Sequence, residues 1–587
     1  MCGIIGYKGQ RNASEVVLNG LKALEYRGYD SWGIASLSSE LDVVKDIGKI
    51  GKWMIEDIDL SKSSLAIGHT RWATHGGVTT ENAHPHYSLD KRFAIVQNGI
   101  VENYQDLKKE LVQKGYNFKS ETDTEVIAYI IQEELKDKEL IEGFRSAFSR
   151  LKGRNAVVLI DSVSGKIIGA RNGSPLILGV GDGEYILASD ASPIVKYTKD
   201  VVFMQDNDVV VLNDSYHIIN SVTGEEIDRE VSHVSWDIKQ AQKGDYPHFM
   251  IKEIMEQRTT VADSIAQEKD AVMEIANALN GAFGTYAVGC GTAAKVCLAA
   301  TYAFSSITHK HINFSLGSEF PSYHHFLTDK SLLLVVSQSG ETADTLEAIE
   351  VMKKRNGKVV SLVNVMGSSI MRQSDYALLN NVGPEKSVCS TKATTAQLAQ
   401  CILLAYAAAD KYDEGMNLLK DASNKLNLML NDQFCNSIKK LACKIVDWES
   451  MYVLGRGLNY SIALEASIKI QEVSYIHAEG FAGGELKHGP IALIDKGTPC
   501  IVFVANDDVK EEILGNAMEV KARGGYIIGV SPEDNSIFDF WIKVPDVGDA
   551  SPIVNIVPIQ LLAYYLAVEK GCDVDMPRNL AKSVTVK

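Results

Sequence analysis

The sequence predicts a layered α+β domain with mostly antiparallel sheets, followed by two α/β units built on parallel sheets. Three observations carry this reading. Short apolar runs bounded by Gly, Asp and Asn crowd the first 220 or so residues. An internal repeat of strand and helix patterns fills the remainder. A polar stretch without a clear period lies between the two.

In the first region IVQNGIV, AVVLIDS, YILASD and DVVVLN are compact apolar runs closed by turn residues, and they read as strands. Helical spacing appears at 14–26, 103–114, 124–135 and 140–151. Strands outnumber helices and turns follow closely, which is the pattern of stacked layers around a core. The polar stretch DREVSHVSWDIKQAQKGDYP (228–247) reads as a connector, and 249–267 as a helix. The remainder repeats itself in order. TYAVGCG (285–291) matches MYVLGRG (451–457), and LLLVVSQSG (332–340) matches CIVFVAND (500–507). KVVSLVNV (358–365) matches YIIGVSPE (526–533), YALLNNVG (376–383) matches WIKVPDVG (541–548), and CILLAYAAA (401–409) matches IQLLAYYLA (559–567). Continuous apolar strands alternating with helices mark a parallel sheet covered on both faces. The expected organisation is a first domain at 2–220, a linker at 221–250, repeated units at 251–425 and 435–577, and a tail at 578–587.

The chain has 587 residues, 45% hydrophobic and 23% charged, with a net charge of −16. At roughly 150 residues per domain this allows three or four domains. The acidic balance disfavours nucleic acid and anionic membrane surfaces as partners. No uninterrupted apolar run reaches the ~18 residues of a membrane span. The most apolar long stretch is taken to be 393–409, read as a buried helix. The start, MCGIIGYKGQRN, lacks a secretory pattern. Nine scattered cysteines without a CxxC pair fit a reducing cytoplasm and no structural zinc.

Cys2 follows the initiator Met directly and leads into the apolar run GIIGY. Removal of Met1 would leave an α-amine with a pKa of about 7.7–8.0, able to serve as base for its own thiol. An isolated second-position cysteine is otherwise incidental. Its companions change the reading. MCGIIG, EYRGYDSWG (25–33), GHTRWATHG (68–76), NAHPH (82–86), QNGIVEN (97–103) and SETDTEVI (120–127) together resemble the glutamine amidotransferase domain of the N-terminal-nucleophile class. The resemblance implies an α/β/β/α layering and a site for glutamine. In it Cys2 attacks the amide, and Asn98 with the Gly99 backbone N–H stabilises the oxyanion. Arg71 pairs with the α-carboxylate through its fork and Asp123 with the α-ammonium. Thr74 and His75 help bind, and Trp72 stands at the mouth of an ammonia passage. Alone, an Asn-Gly pair reads as a hairpin turn.

In the second region, Ser337-Gln338-Ser339-Gly340-Glu341-Thr342 runs from an apolar strand into a helix, the setting in which hydroxyls and N–H groups hold an anion. Ordinary capping by Ser339 or Thr342 is the plainer alternative. No Walker loop or GxGxxG turn is present. GCGT (289–292) and SQSGETADT (337–345) resemble sugar isomerase (SIS) domains. The resemblance implies a sugar-phosphate pocket drawing on Thr292, Ser337, Gln338, Ser339, Thr342, Val388 and Ser390, with Cys290-Gly291 and Cys389 in the matching segments. Ala293 departs from the serine of many relatives.

ALEASIKIQEVSYIHAE (463–479), GELKHGP (484–490) and PRNLAKSVTV (577–586) resemble catalytic segments of the isomerising glutamine:fructose-6-phosphate aminotransferases, the glucosamine-6-phosphate synthase family. Glu465, Lys469 and Glu472 share one helix face by spacing, which without context is a solvated salt-bridge row. The resemblance implies that Lys582 forms an imine with the sugar, Glu472 moves a proton between C1 and C2, and His488 assists ring opening. Lys469 and Glu465 support the site. It further implies amino-sugar biosynthesis from glutamine and fructose 6-phosphate, no metal or organic cofactor, a homodimer and a cytoplasmic setting. Other amidotransferases of the same N-terminal class, and a sugar-phosphate-binding regulator without chemistry, are the alternatives.

Overall fold

The computed structural model describes residues 2–234, 240 and 242–585. Two compact units emerge, Met1–Gln242 together with Ala581–Lys587, and Lys243–Leu580.

The first unit runs β1 (Gly3–Lys8), α1 (Ala13–Leu24), β2 (Ser31–Leu37), β3 (Leu41–Ile47), β4 (Leu65–Arg71), β5 (His86–Tyr87), β6 (Phe93–Gly99), α2 (Tyr104–Gln113), α3 (Thr124–Glu134) and α4 (Leu140–Ser149). It continues through β7 (Asn155–Asp161), β8 (Lys166–Asn172), β9 (Ile177–Val180), β10 (Tyr185–Ala188), β11 (Asp200–Phe203), β12 (Asp208–Leu212), β13 (Tyr216–Asn220) and β14 (Ser232–His233). One sheet has the order β14-β11-β9-β10-β1-β4-β2-β3, the other β13-β12-β8-β7-β6-β5. Alternation along β1 shows how the layers form. Ile5 and Tyr7 pack with α1, whereas Ile4 joins Ile67, Val96 and Val158 between the sheets. On the far side Phe93, Ile95 and Leu159 meet apolar residues of α2, α3 and α4. The unit is therefore an α/β/β/α stack. Part of the expected linker is sheet, since β14 pairs with the β11 edge. Residues 235–239 and 241 of that linker lie outside the described residues.

The second unit opens with α5 (Phe249–Ile265) and α6 (Lys269–Gly281). A first copy follows: β15 (Thr285–Gly289), α7 (Thr292–Thr308), β16 (Asn313–Leu316), β17 (Leu332–Ser337), α8 (Ala343–Lys353), β18 (Lys358–Val363), α9 (Ser369–Gln373), β19 (Tyr376–Leu379) and α10 (Lys392–Ala408). After α11 (Tyr412–Met429) and α12 (Asp432–Ile445) comes a second copy: β20 (Ser450–Gly455), α13 (Leu458–Ser474), β21 (His477–Ala482), β22 (Pro499–Phe503), α14 (Lys510–Lys521), β23 (Tyr526–Ser531), β24 (Phe540–Lys543) and α15 (Ser551–Glu569). The sheets β16-β15-β17-β18-β19 and β21-β20-β22-β23-β24 are wholly parallel and have the same order. All five sequence matches fall on equivalent elements.

The repeat extends to the caps. α7 and α13 each follow a glycine in a conformation closed to L side chains, Gly291 (φ 55, ψ −125) and Gly457 (φ 54, ψ −131). Each ends in a left-handed residue, His309 and Tyr475. Helices of both copies share one continuous core. The most membrane-like stretch is not 393–409 but Gly548–Glu569, with mean hydropathy 1.5 and 89% of its most apolar window buried. Its apolar character serves that core, where every face of α15 meets protein.

Candidate functional sites

The strand order of the first unit brings the chain start between distant segments. β1 pairs with β4 and sets Cys2 beside the segment that leaves β4 at Arg71. The Trp72 backbone N–H donates to the Cys2 sulfur at 3.3 Å. The Asn98 Nδ2, at the end of β6, donates to the Cys2 carbonyl at 3.0 Å. Asn98 and Gly99 do not form a hairpin turn; they lie in the ladder opposite Ala156 and Asn155 of β7. Gly99 has φ +121, and a Cβ there would sit 1.8 Å from the Arg154 carbonyl oxygen. That position therefore demands glycine. Burial pushes the Cys2 thiol up, with the Trp72 N–H and Arg71 pulling it back.

A residue that motif reading left without a role orients Asn98. His69 Nε2 lies 3.0 Å from the Gln97 carbonyl and 3.1 Å from Asn98 Oδ1. Both are acceptors, so Nε2 carries the proton. That bond turns the Asn98 amide so that its NH2 faces Cys2. Burial lowers the His69 pKa to about 3, which keeps the ring neutral. His69 stacks on His84 at 4.1 Å, and His84 meets His86 edge-on at 5.0 Å. His69 lies inside GHTRWATHG and was visible as a residue, but its partner is 29 positions away.

The residues expected to recognise glutamine are partly engaged with the protein itself. Arg71 is 3% exposed, and its guanidinium donates to the carbonyls of His75, Gly76 (3.2 Å) and Gly77 (3.0 Å). It therefore also organises the 75–77 loop, a role its charge alone did not indicate. Thr74 is exposed, with its hydroxyl 3.5 Å from His75 Nδ1, and the His75 ring stands edge-on to Tyr104. Asp123 immediately precedes α3, yet its Oδ2 accepts from the Val101 N–H at 2.7 Å instead of capping that helix. Burial raises its carboxyl. The Trp72 side chain is half-buried, and its backbone is what meets the thiol.

In the second unit, Ser337 ends β17 and Thr342 precedes α8. Their hydroxyls lie 3.1 Å apart, and Ser337 Oγ accepts from the Gly340 N–H. Ser339 Oγ accepts from the Glu341 N–H. Thr342 occupies the capping position but its hydroxyl makes no capping bond. The first-turn N–H groups of α8 thus keep the donor character suited to an anion. Gln338 is partly buried in the same turn. Val388 donates its N–H to the Asp575 carbonyl at 3.0 Å. The Asp575 carboxylate in turn accepts from the Phe249 and Met250 N–H groups at the start of α5. Ser390 donates to Glu385, which also receives the Thr391 and Ala393 N–H groups at the start of α10. Asp575 caps α5 from about 325 residues away, which sequence spacing does not reveal, while Glu385 caps α10 from the segment just before it.

The predicted row on α13 is not solvated. Lys469 Nζ lies 3.4 Å from Glu465 Oε1 and 2.7 Å from Glu472 Oε2, with the Lys469 and Glu465 side chains each 1% exposed. Thr292 at the start of α7 donates to Glu465 Oε1 at 3.1 Å. Burial raises the Glu465 carboxyl to about 7. Burial opposes the Lys469 charge, but Cys389, Glu465 and Glu472 hold its pKa well above the usual lysine value. The Lys469 contact holds the Glu472 carboxylate at a fixed position. His488 is exposed on the short 3₁₀ turn Leu486–His488. Lys582 groups with the first unit.

Comparison with known proteins agrees with both halves of this description. A SIS domain model matches residues 284–407 and 444–570, and a glutamine amidotransferase domain model matches 69–196. The chain is 40% identical over 613 residues to a glutamine--fructose-6-phosphate aminotransferase [isomerizing] of Caldanaerobacter subterraneus subsp. tengcongensis, covering all of both chains. It is 40% identical over 605 residues to the protein of the same name from Thermococcus kodakarensis, again over both full lengths. Among solved structures, the C-terminal domain of glucosamine-fructose-6-phosphate aminotransferase from Francisella tularensis matches with TM-score 0.53 and 34% identity. It covers 57% of this chain and 99% of that one.

Proposed function

The chain belongs to the glutamine--fructose-6-phosphate aminotransferase [isomerizing] family, and from that premise we propose that it transfers the amide nitrogen of glutamine to fructose 6-phosphate, giving glucosamine 6-phosphate and glutamate. The observation that carries this reading is the presence in one chain of a Cys2 held by Trp72 at its sulfur and by Asn98 at its carbonyl, and of a Glu465–Lys469–Glu472 row whose first two members are buried and whose third is part-exposed.

Burial keeps Cys2 a thiol, so its attack needs a base. The α-amine left by removal of Met1 takes the thiol proton. The sulfur bonds to the glutamine δ-carbon, and the developing oxyanion is met by Asn98 and the Gly99 N–H. The α-ammonium so formed on Cys2 returns that proton to the leaving nitrogen, collapse expels ammonia, and water later hydrolyses the thioester to release glutamate. Arg71 and Asp123 hold the α-carboxylate and α-ammonium, with Thr74 and His75 beside them. Trp72 guards an internal passage through which ammonia reaches the sugar.

The phosphate rests on Ser337, Gln338, Ser339 and Thr342, and Thr292, Val388, Ser390 and Lys469 complete the sugar pocket. His488 assists ring opening. Lys582 condenses with the C2 carbonyl and water leaves; ammonia then displaces the lysine from C2. Glu472 takes a proton from C1 and a proton is delivered to C2, so the ketose imine becomes a 2-amino aldose. The enzyme works as a cytoplasmic homodimer in amino-sugar synthesis and needs neither metal nor organic cofactor. Domain limits of 2–220, 251–425 and 435–577, with a catalytic tail at 578–587, complete the assignment.

The test is a product assay with amide-labelled glutamine and fructose 6-phosphate. Label is expected in glucosamine 6-phosphate, and Cys2→Ala should lose that transfer while synthesis from added ammonia persists. Glutamate release with no labelled amino sugar would refute the reading.

A further inference from the structure

The segment before α10 carries a buried thiol that the scheme above does not use. Cys389 is 1% exposed, and its Sγ lies 2.9 Å from Glu472 Oε2. The same oxygen lies 2.7 Å from Lys469 Nζ. A carboxylate oxygen only accepts, so the sulfur must donate. Among the described residues, the titratable groups bonded to Glu472 are Lys469 on its own helix and Cys389 from the facing segment, and Lys469 in turn pairs with Glu465. α7 contributes the neutral Thr292 hydroxyl, through Glu465. Burial and the nearby Glu472 charge raise the Cys389 pKa well above the ordinary cysteine value, which keeps it a thiol and therefore a donor.

Two donors thus converge on one oxygen of Glu472. Its side chain is 27% exposed, and Oε1 carries no hydrogen bond among the described residues. We infer that Cys389 is a positioning residue for the proton transfer: with Lys469 it pins Glu472 Oε2, points Oε1 toward the substrate and sets the basicity of the carboxylate. A thiol is a weak donor, so it restrains the carboxylate while lowering its basicity less than a hydroxyl would. Cys389 touches no reacting atom in this account. The inference rests on the reading of Glu472 as the group that takes the C1 proton.

The experiment measures loss of C1-bound deuterium from labelled fructose 6-phosphate as a function of pH. It uses the full-length chain, wild type and the variants Cys389→Ala, Cys389→Ser and Glu472→Gln. This readout follows the proton step itself and is separate from overall folding. Cys389→Ala removes one donor, so the acidic limb of the profile should move up by about 0.5–1 pH unit. Cys389→Ser restores a donor, and its limb should lie at or below that of wild type. An alanine profile that superimposes on wild type, or a serine limb displaced upward, would overturn the inference even if one variant folds poorly. Glu472→Gln separates the two levels of argument. Exchange persisting in Glu472→Gln sinks the underlying assignment of the base. Exchange lost in Glu472→Gln with unmoved cysteine profiles sinks only the role of Cys389.

Discussion

Counting from the matched glycines Gly291 and Gly457, each position of α7 has a counterpart on α13. Where α13 carries Glu465, Lys469 and Glu472, α7 carries Ala299, Ala303 and Ser306. The turns after β17 and β22 differ in the opposite sense. The first copy offers Ser337, Ser339 and Thr342; the second offers Asn506, Asp507 and Asp508. Burial raises the Asp507 carboxyl, and Asp508 and Glu512 add to that; this turn gathers carboxyl groups where its counterpart offers hydroxyls. Residues that set the backbone match between the copies, while the side chains beside them differ. One copy presents hydroxyls in the turn before a helix and the other an ion-paired row on a helix face.

The largest effect should come from Glu472→Gln. Loss of a general base lowers synthesis by about 10²–10⁴-fold, whereas Ser306→Ala at the matched position should stay within about twofold. Parallel losses in steady-state assays of the two variants would break the division of labour.

Next in size is an exchange of turn chemistry. Ser339→Asp puts the second copy's charge into the first copy's turn, and KM for fructose 6-phosphate should rise by about 10–100-fold. Asp507→Ser in the other copy should leave KM within about twofold. A comparable KM change in both variants would show that the two turns share the anion.

The shared backbone can be tested with Gly291→Ala and Gly457→Ala. Space exists for a Cβ at both sites, the nearest atom being 3.9 Å away at Gly457. The cost is therefore conformational, about 1–3 kcal/mol each. Chemical denaturation of the full chain should show similar shifts for the two; a shift in one alone would mean that the copies no longer depend on the same cap.

The smallest effect is a pH slope. Burial raises the Glu465 carboxyl from 4.5 to about 7, so between those values the folded state holds a proton that the unfolded state releases. Its contribution to stability is full below pH 4.5 and is lost as pH rises through about 7. Glu465→Gln removes this dependence, and its stability should fall less than that of wild type across that window. Identical slopes would indicate that Glu465 is not held protonated. The first copy, with Ala299 at this position, has no corresponding group.

The sequence by itself determined the domain classes, the duplication and the helix row. Each is local or repetitive: alternation in strands, i,i+3 and i,i+4 spacing on α13, and paired strand–glycine–helix patterns. It also exposed Cys2 and the segments around Arg71, Asn98 and Asp123 through their motifs. Only the tertiary structure decided which of these groups touch. His69 orients Asn98 from 29 residues away, Thr292 reaches Glu465 across 173, and Cys389 reaches Glu472 across 83. Tertiary packing also buried Glu465 and Lys469 of a row that looks solvated on its own helix and left Glu472 part-exposed, because α7 and the segment before α10 close over α13. It committed part of the Arg71 fork to the carbonyls of its own loop. The physical reason is that periodicity records which face of an element is apolar, whereas a hydrogen bond between elements depends on how those faces meet in three dimensions.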